Sequence, residues 1–167
     1  QAKADQAPRQ NFEINQPFAL TYPENLGDDF IVWLVQTAQE ALSELTSSYG
    51  ALYPKRNIEI ILYETQQFRK VTNYAPEWAQ GLFDGRIRLP VYSQQSDRVD
   101  VRASIKKVLR HELAHAILAQ MTDIRQLPSW FNEGFAQYFE ISDHNEFLFD
   151  AKKTQFLKSS QLHKNYS

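Results

Sequence analysis

Two histidines and a glutamate in the run His111-Glu112-Leu113-Ala114-His115 carry the clearest chemistry in the chain. Side chains four apart on an α-helix stand one above the other on the same face. Two imidazoles so placed can grip one divalent ion, zinc above all. Glu112 follows His111 and projects from an adjacent part of the helix toward the same cleft. A carboxylate there can act as general base toward a metal-activated water. The plain alternative is a helix that happens to carry two histidines, and only the surroundings of the motif separate the two readings.

Those surroundings are helical. Val101, Ile105, Val108 and Leu109 recur at helical spacing upstream, and Ile117 and Leu118 continue the apolar character beyond the motif. No Gly or Pro interrupts Val101 to Met121. Asp97 and Asp100 are both candidate N-caps. A catalytic zinc takes three protein ligands and keeps one position open, so a third donor is required. Glu133 is the candidate. Seventeen residues separate it from His115, enough for the first helix to end near Met121, a loop to run from Thr122 to Leu127, and a second helix to start near Ser129. The Ser129 hydroxyl is suited to cap that helix. Taken alone, a glutamate on a helix is more often solvated than a ligand.

The combination His111-Glu112-Leu113-Ala114-His115 with Pro128-Ser129-Trp130-Phe131-Asn132-Glu133-Gly134-Phe135-Ala136 resembles the gluzincin metallopeptidases. It is closest to the bacterial peptidase MA-like families, in which P-x-W-x-x-E-G-x-A follows the zinc helix. The strong part of the resemblance covers residues 108 to 140. A weaker part reaches upstream through Ile58 to Tyr63 and Gly85 to Pro90. It implies a zincin-like fold, Zn2+ held by His111, His115 and Glu133, Glu112 as the catalytic carboxylate, and a peptide or protein substrate. It also points to a secreted or periplasmic setting.

Two departures stand against it. Many gluzincins carry an acidic residue four positions after the third ligand, to hold a metal-bound histidine, and here that position is Gln137. An amide oxygen accepts from an imidazole N–H but adds no charge, which weakens the histidine as a donor. Glu140 is a candidate substitute, with no sequence signal behind it. Related domains also continue into a helical segment that often bears a Tyr or His to stabilise the tetrahedral intermediate, and this sequence ends 34 residues after Glu133. The competing reading is therefore a catalytically inactive zincin-like module that binds zinc and an extended peptide or protein partner. A third is a structural helix pair without metal.

Composition narrows the classes. At 167 residues one domain with a sizeable core is expected. Apolar residues at 43% and aromatics at 13% argue against disorder over the whole length. A net charge of −2 leaves no basic footprint for nucleic acid. No apolar run approaches the length of a membrane span. The absence of cysteine excludes disulfides and thiolate-bound metal. The start at Gln1 rather than Met leads us to expect a segment upstream.

The elements that must position the site read as follows. Residues 1–11 are polar and expected to be a disordered leader or linker, with 12–167 a single zincin-like domain, truncated in its helical C-terminal part. Phe12 to Tyr22 suggests one or two short strands broken at Pro17. Asp28 to Tyr49 follows helical spacing, with Gly50 as its stop. Asn57 to Tyr63 is a strand with apolar residues on both faces, hence covered on both. Thr65 to Val71 reads as a short helix or turn with Phe68 inward, and Pro76-Glu77-Trp78 as a loop. Leu82 to Leu89 reads as a hairpin around a two-residue Asp84-Gly85 turn. Arg86 to Leu89 is the candidate edge strand for pairing with an extended peptide. Ser93 to Ser96 forms a polar loop. Trp130 and Phe131 are expected in the core, wedging the second helix against the first, and Tyr138 packs with Phe135 and Phe139. His144 and His163 are expected to be solvated, and residues 152–167 to fray or to belong to a truncated helical region. This order of strands and helices is α+β: a twisted mixed sheet with helices collected on one side, packed against the zinc-binding helix.

Overall fold

The computed structural model describes residues 9–13, 17–75, 79–92 and 97–142. Strands β1 (Arg9–Glu13), β2 (Phe18–Pro23), β3 (Ile58–Glu64), β4 (Leu82–Phe83) and β5 (Ile87–Val91) form one mixed sheet in the order β1-β2-β3-β5-β4. β2, β3 and β5 run parallel to one another, and β1 and β4 close the two ends antiparallel. The helices are α1 (Asp28–Ser48), α2 (Thr65–Val71), α3 (Val99–Met121) and α4 (Ser129–Ser142). The α+β, zincin-like architecture expected from the sequence is the one observed.

The parallel strands explain where the core lies. Ile58, Ile60 and Leu62 of β3 point with Phe18 and Leu20 of β2 and Ile87, Leu89 and Val91 of β5 into one cluster. α1 contributes Phe30, Leu34, Ala38 and Leu45, and α3 contributes Ile105, Leu109, Leu113 and Ile117. The opposite face carries Ile61 and Tyr63, covered by Phe68 of α2. The helices are thus not all on one side, because β3 has apolar residues in both registers and each set needs a cover. α1 ends as its sequence predicts. Gly50 takes φ 66, and the Ala51 N–H donates to the Leu45 carbonyl at 3.0 Å, a left-handed stop that glycine adopts without strain.

Several expectations need correction. β1 takes up residues 9 to 11 of the stretch read as a leader, since antiparallel pairing with β2 satisfies the backbone whatever the polarity of the side chains. The hairpin turn has three residues, Asp84 to Arg86, because Phe83 pairs with Ile87; Gly85 supplies the required positive φ of 99. The segment Arg86 to Leu89 is not the edge. β5 lies between β3 and β4, and β4 is outermost; a hairpin signal shows that two strands pair but not which is outer. α3 starts at Val99 with Arg98 as N-cap residue. Neither Asp97 nor Asp100 caps it; Asp100 lies in the first turn and pairs with Arg98. The readings of Pro76 to Trp78, Ser93 to Ser96, His144, His163 and residues 152–167 lie outside the described residues. No helix among the described residues is long and apolar enough to cross a membrane.

Candidate metal centre

α3 carries His111, Glu112 and His115 in the half of the helix that is buried on nearly every side. Leu109, Arg110, Leu113, Ala114, Ala116 and Ile117 surround the motif and are all inaccessible. The helix runs to Met121, and a short 3₁₀ turn at Ile124–Gln126 reverses the chain into α4. α4 begins at Ser129, and the Pro128 carbonyl accepts from the N–H groups of Phe131 and Asn132. Ser129 is therefore the first helical residue rather than the cap.

α4 meets α3 through Asn132, Phe135, Ala136, Phe139 and Glu140, a stripe at spacings of three, one, three and one. Ala136 and Phe139 are fully buried. Trp130 and Phe131 fall off this stripe and stand 75% and 41% exposed, so the expectation that they wedge the helices together fails. Tyr138 is partly exposed and meets Tyr49 of the α1 end edge to face, as do Phe135 and Phe139.

This packing brings the expected donors together. The Nε2 atoms of His111 and His115 are 3.2 Å apart. The Glu133 carboxylate lies 3.8 Å from each, Oε2 toward His111 and Oε1 toward His115. One donor atom from each of the three residues falls within 4.8 Å of the other two. Each ring is held from behind. His111 Nδ1 donates to Glu140 Oε2 at 3.1 Å, and His115 Nδ1 donates to Asn132 Oδ1 at 2.9 Å. A neutral imidazole that donates through Nδ1 presents a lone pair at Nε2.

Two lone pairs and a carboxylate converging on one point repel one another unless a positive charge joins them. A proton shared between the rings or a metal ion supplies it. Two imidazoles and one carboxylate form a donor set of catalytic zinc sites. Ligands about 2.0–2.1 Å from a tetrahedral zinc stand about 3.3 Å apart, close to the spacing of the two nitrogens. Glu133 is farther out and half-exposed, free to swing inward. The residues present fit a zinc ion.

Glu112 is buried against the other wall of the site. Its carboxylate accepts from the Phe83 backbone N–H of the edge strand β4. Burial, and then the charges of Glu133 and Glu140, push its pKa up to about 8, against the pull of that hydrogen bond. The His111 pKa is lowered, mainly by burial and next by His115, with Glu140 and Glu133 opposing. Beyond Glu112, toward the start of α3, a cavity of about 430 Å³ opens between α3, α2 and the end of β5, walled by Phe68, Leu89, Tyr92, Val101, Ile105 and Val108 among others.

Of three further residues around the site, only Glu140 was named from the sequence as a candidate. Glu140 had no signal, yet it supplies the negative charge that Gln137, exposed on the far side of α4, does not. Asn132 was legible only as part of the run around Glu133. Arg110 gave no sign at all. Its guanidinium is buried and donates to the Phe139 carbonyl at 3.0 and 2.9 Å, to both oxygens of Glu44 at 2.8 and 3.1 Å, and to Ser142 Oγ at 2.6 Å. It fastens α4 to α1 and α3 one residue before the first histidine.

A model of the peptidase MA superfamily matches residues 37–165, most of the chain. The match takes in α3, α4 and every residue of the donor cluster.

Proposed function

The chain belongs to the peptidase MA superfamily, and on that premise we propose that it is a zinc-dependent peptidase. The observation that carries the proposal is the convergence of His111, His115 and Glu133 on one point with Glu112 beside it. In this reading the two Nε2 atoms and the Glu133 carboxylate hold Zn2+. The bound ion supplies Lewis acidity to the scissile carbonyl and lowers the pKa of an attacking water.

The remaining work falls to the protein. Glu112 takes the proton of the attacking water and passes it to the leaving amine. The positive charge of a bound zinc ion would draw the Glu112 pKa back down, so that the carboxylate could take a proton and return it. Glu140 and Asn132 fix both rings in the tautomer that offers Nε2 to the metal. The acidic partner that seemed to be missing at Gln137 is thus present two turns into the stripe. Pairing of an extended peptide with the outer edge of the sheet is the expected mode of substrate binding, and the cavity beside Val108 offers room for a side chain. A secreted or periplasmic setting belongs to this proposal and rests on the family resemblance alone.

Glu112→Gln tests it directly. Cleavage of a broad peptide library should fall by about 10²–10⁴-fold, while metal analysis still finds one zinc per chain. Undiminished cleavage by this variant would overturn the assignment of Glu112. Stoichiometric zinc without cleavage by the unaltered protein would favour the inactive peptide-binding module instead. No zinc, and a melting temperature indifferent to chelator, would leave only the structural helix pair, since a ligand that binds the native state must raise its stability.

A further inference from the structure

We infer that Gly81 is a positioning residue: its missing side chain lets the segment leading into the edge strand close on Glu112 and hold the carboxylate in place. The inference rests on the peptidase reading for its effect on rate, and on packing alone for its effect on geometry.

Gly81 is buried immediately before β4. Its backbone does not call for glycine, because only Gly50 and Gly85 take positive φ. What the position requires is space. A Cβ built there would lie 2.4 Å from Val108 Cγ1, 3.0 Å from Glu112 Oε1 and 3.1 Å from Glu112 Cγ. The first distance is a clash. The other two are tighter than ordinary van der Waals contact and involve the carboxylate arm itself. Of the five glycines, only Gly81 would set a Cβ against a buried side chain; Gly50, Gly85 and Gly134 have nothing within 4 Å, and Gly27 meets only the Asp29 carboxylate at 2.8 Å.

Two residues further on, the Phe83 N–H donates to the same carboxylate. Contact at Gly81 and hydrogen bonding at Phe83 therefore grip Glu112 from one short stretch of backbone. Any side chain at position 81 must push the carboxylate away or lift the stretch off α3, and either movement lengthens the bond from Phe83. Glu112 itself is in the interior and has little room to follow. Proton transfer depends on this geometry, and a displacement near 1 Å costs about a hundredfold in rate.

The two neighbours of the absent Cβ can be separated. Gly81→Ala should lower both the melting temperature and kcat. Adding Val108→Ala removes the methyl group at the shortest contact and leaves the Glu112 contacts. In the double variant, compared with Val108→Ala alone, the melting temperature should return while kcat on the peptide library stays about a hundredfold down, with zinc content and KM unchanged. The Phe83 amide proton in the zinc-loaded protein provides a readout that needs no turnover. It should move upfield in the double variant, toward its position in Glu112→Ala. A double variant that regains kcat together with stability, or that leaves the Phe83 amide where Val108→Ala has it, would overturn the inference. So would a double variant as unstable as Gly81→Ala, because Val108 would then not be the structural obstacle. If the unaltered protein cleaves nothing, the peptidase reading fails and the amide signal alone decides on Gly81.

Discussion

α3 and α4 both supply donors to the same point, yet they are built differently. α3 is buried around its motif, with His115 and Glu112 each 7% exposed. Its two nitrogens are already at the spacing that one ion demands. Among the described residues α4 buries only Ala136 and Phe139 fully, and its own donor, Glu133, is half-exposed and 3.8 Å from either ring. Core packing therefore holds the stretch of α3 that carries the histidines. α4 instead hangs on a small apolar stripe and on polar clasps: Arg110 to Phe139 and Glu44, Glu140 to His111, Asn132 to His115. The difference teaches that the imidazole pair is preorganised, whereas the carboxylate half of the site is only as good as the fastening of its helix.

The sharpest way to break this contrast is Arg110→Met. The substitution keeps an apolar stem of similar length and removes every clasp of the guanidinium. It takes both guanidinium donors from the Phe139 carbonyl, which keeps the Ser142 hydroxyl, and it deprives Glu44, 30% exposed in its side chain, of its cationic partner. Breaking a buried pair by removing one member costs about 3–5 kcal/mol. In a chain of this size each kcal/mol lowers the melting temperature by about 2–4 °C. Thermal unfolding should show that loss, and zinc affinity should fall with it as α4 loosens. A variant with parent-like stability would mean that the apolar stripe alone fastens α4.

How the residues became legible follows the same division. The imidazole pair could be read from sequence because it depends on helical period alone. Glu133 could be read from the run that starts a new helix at Ser129. The partners of the rings could not. Whether position 137 or 140 faces His111 depends on how α4 crosses α3, and the crossing is set by the stripe from Asn132 to Glu140. The same crossing turned Trp130 and Phe131 outward, although size and apolarity had put them in the core. Arg110 is a residue type that is rarely buried, and its partners lie 66 and 29 residues away in sequence. Gly81 matters only through atoms of another element. In the sheet, the strands were legible by alternation, but the order that made β4 rather than β5 the edge is a tertiary fact.

A smaller effect separates the two rings. Glu140→Gln keeps an acceptor for His111 Nδ1 and removes its charge, while Asn132→Ala removes the acceptor of His115 Nδ1 altogether. Changes behind a metal-bound histidine typically cost about 10–100-fold in affinity. Zinc competition titration should place both variants in that range, with melting temperatures of the metal-free proteins close to the parent. Equal metal affinity in all three proteins would show that core packing alone orients the rings, and α4 would then contribute nothing beyond Glu133.

The smallest expected effect tests the outward face of α4. Trp130 is the most exposed aromatic side chain among the described residues, and its one ring contact is with its neighbour Phe131. Trp130→Ala removes a large side chain from a place where water already reaches most of it. Substitutions of that kind stay within about 0.5 kcal/mol, or about 1–2 °C in melting temperature at this size. Phe139→Ala, nine residues on and facing inward, should cost about 3–5 kcal/mol for the same loss of an aromatic ring. The contrast between two aromatic truncations on one helix isolates burial from residue type. If Trp130→Ala approached the cost of Phe139→Ala, the outward face would have to be packed against another part of the chain or a second copy of it. The division of α4 into a fastened face and a free one would then be wrong, and with it the view that Glu133 swings on a lightly held helix.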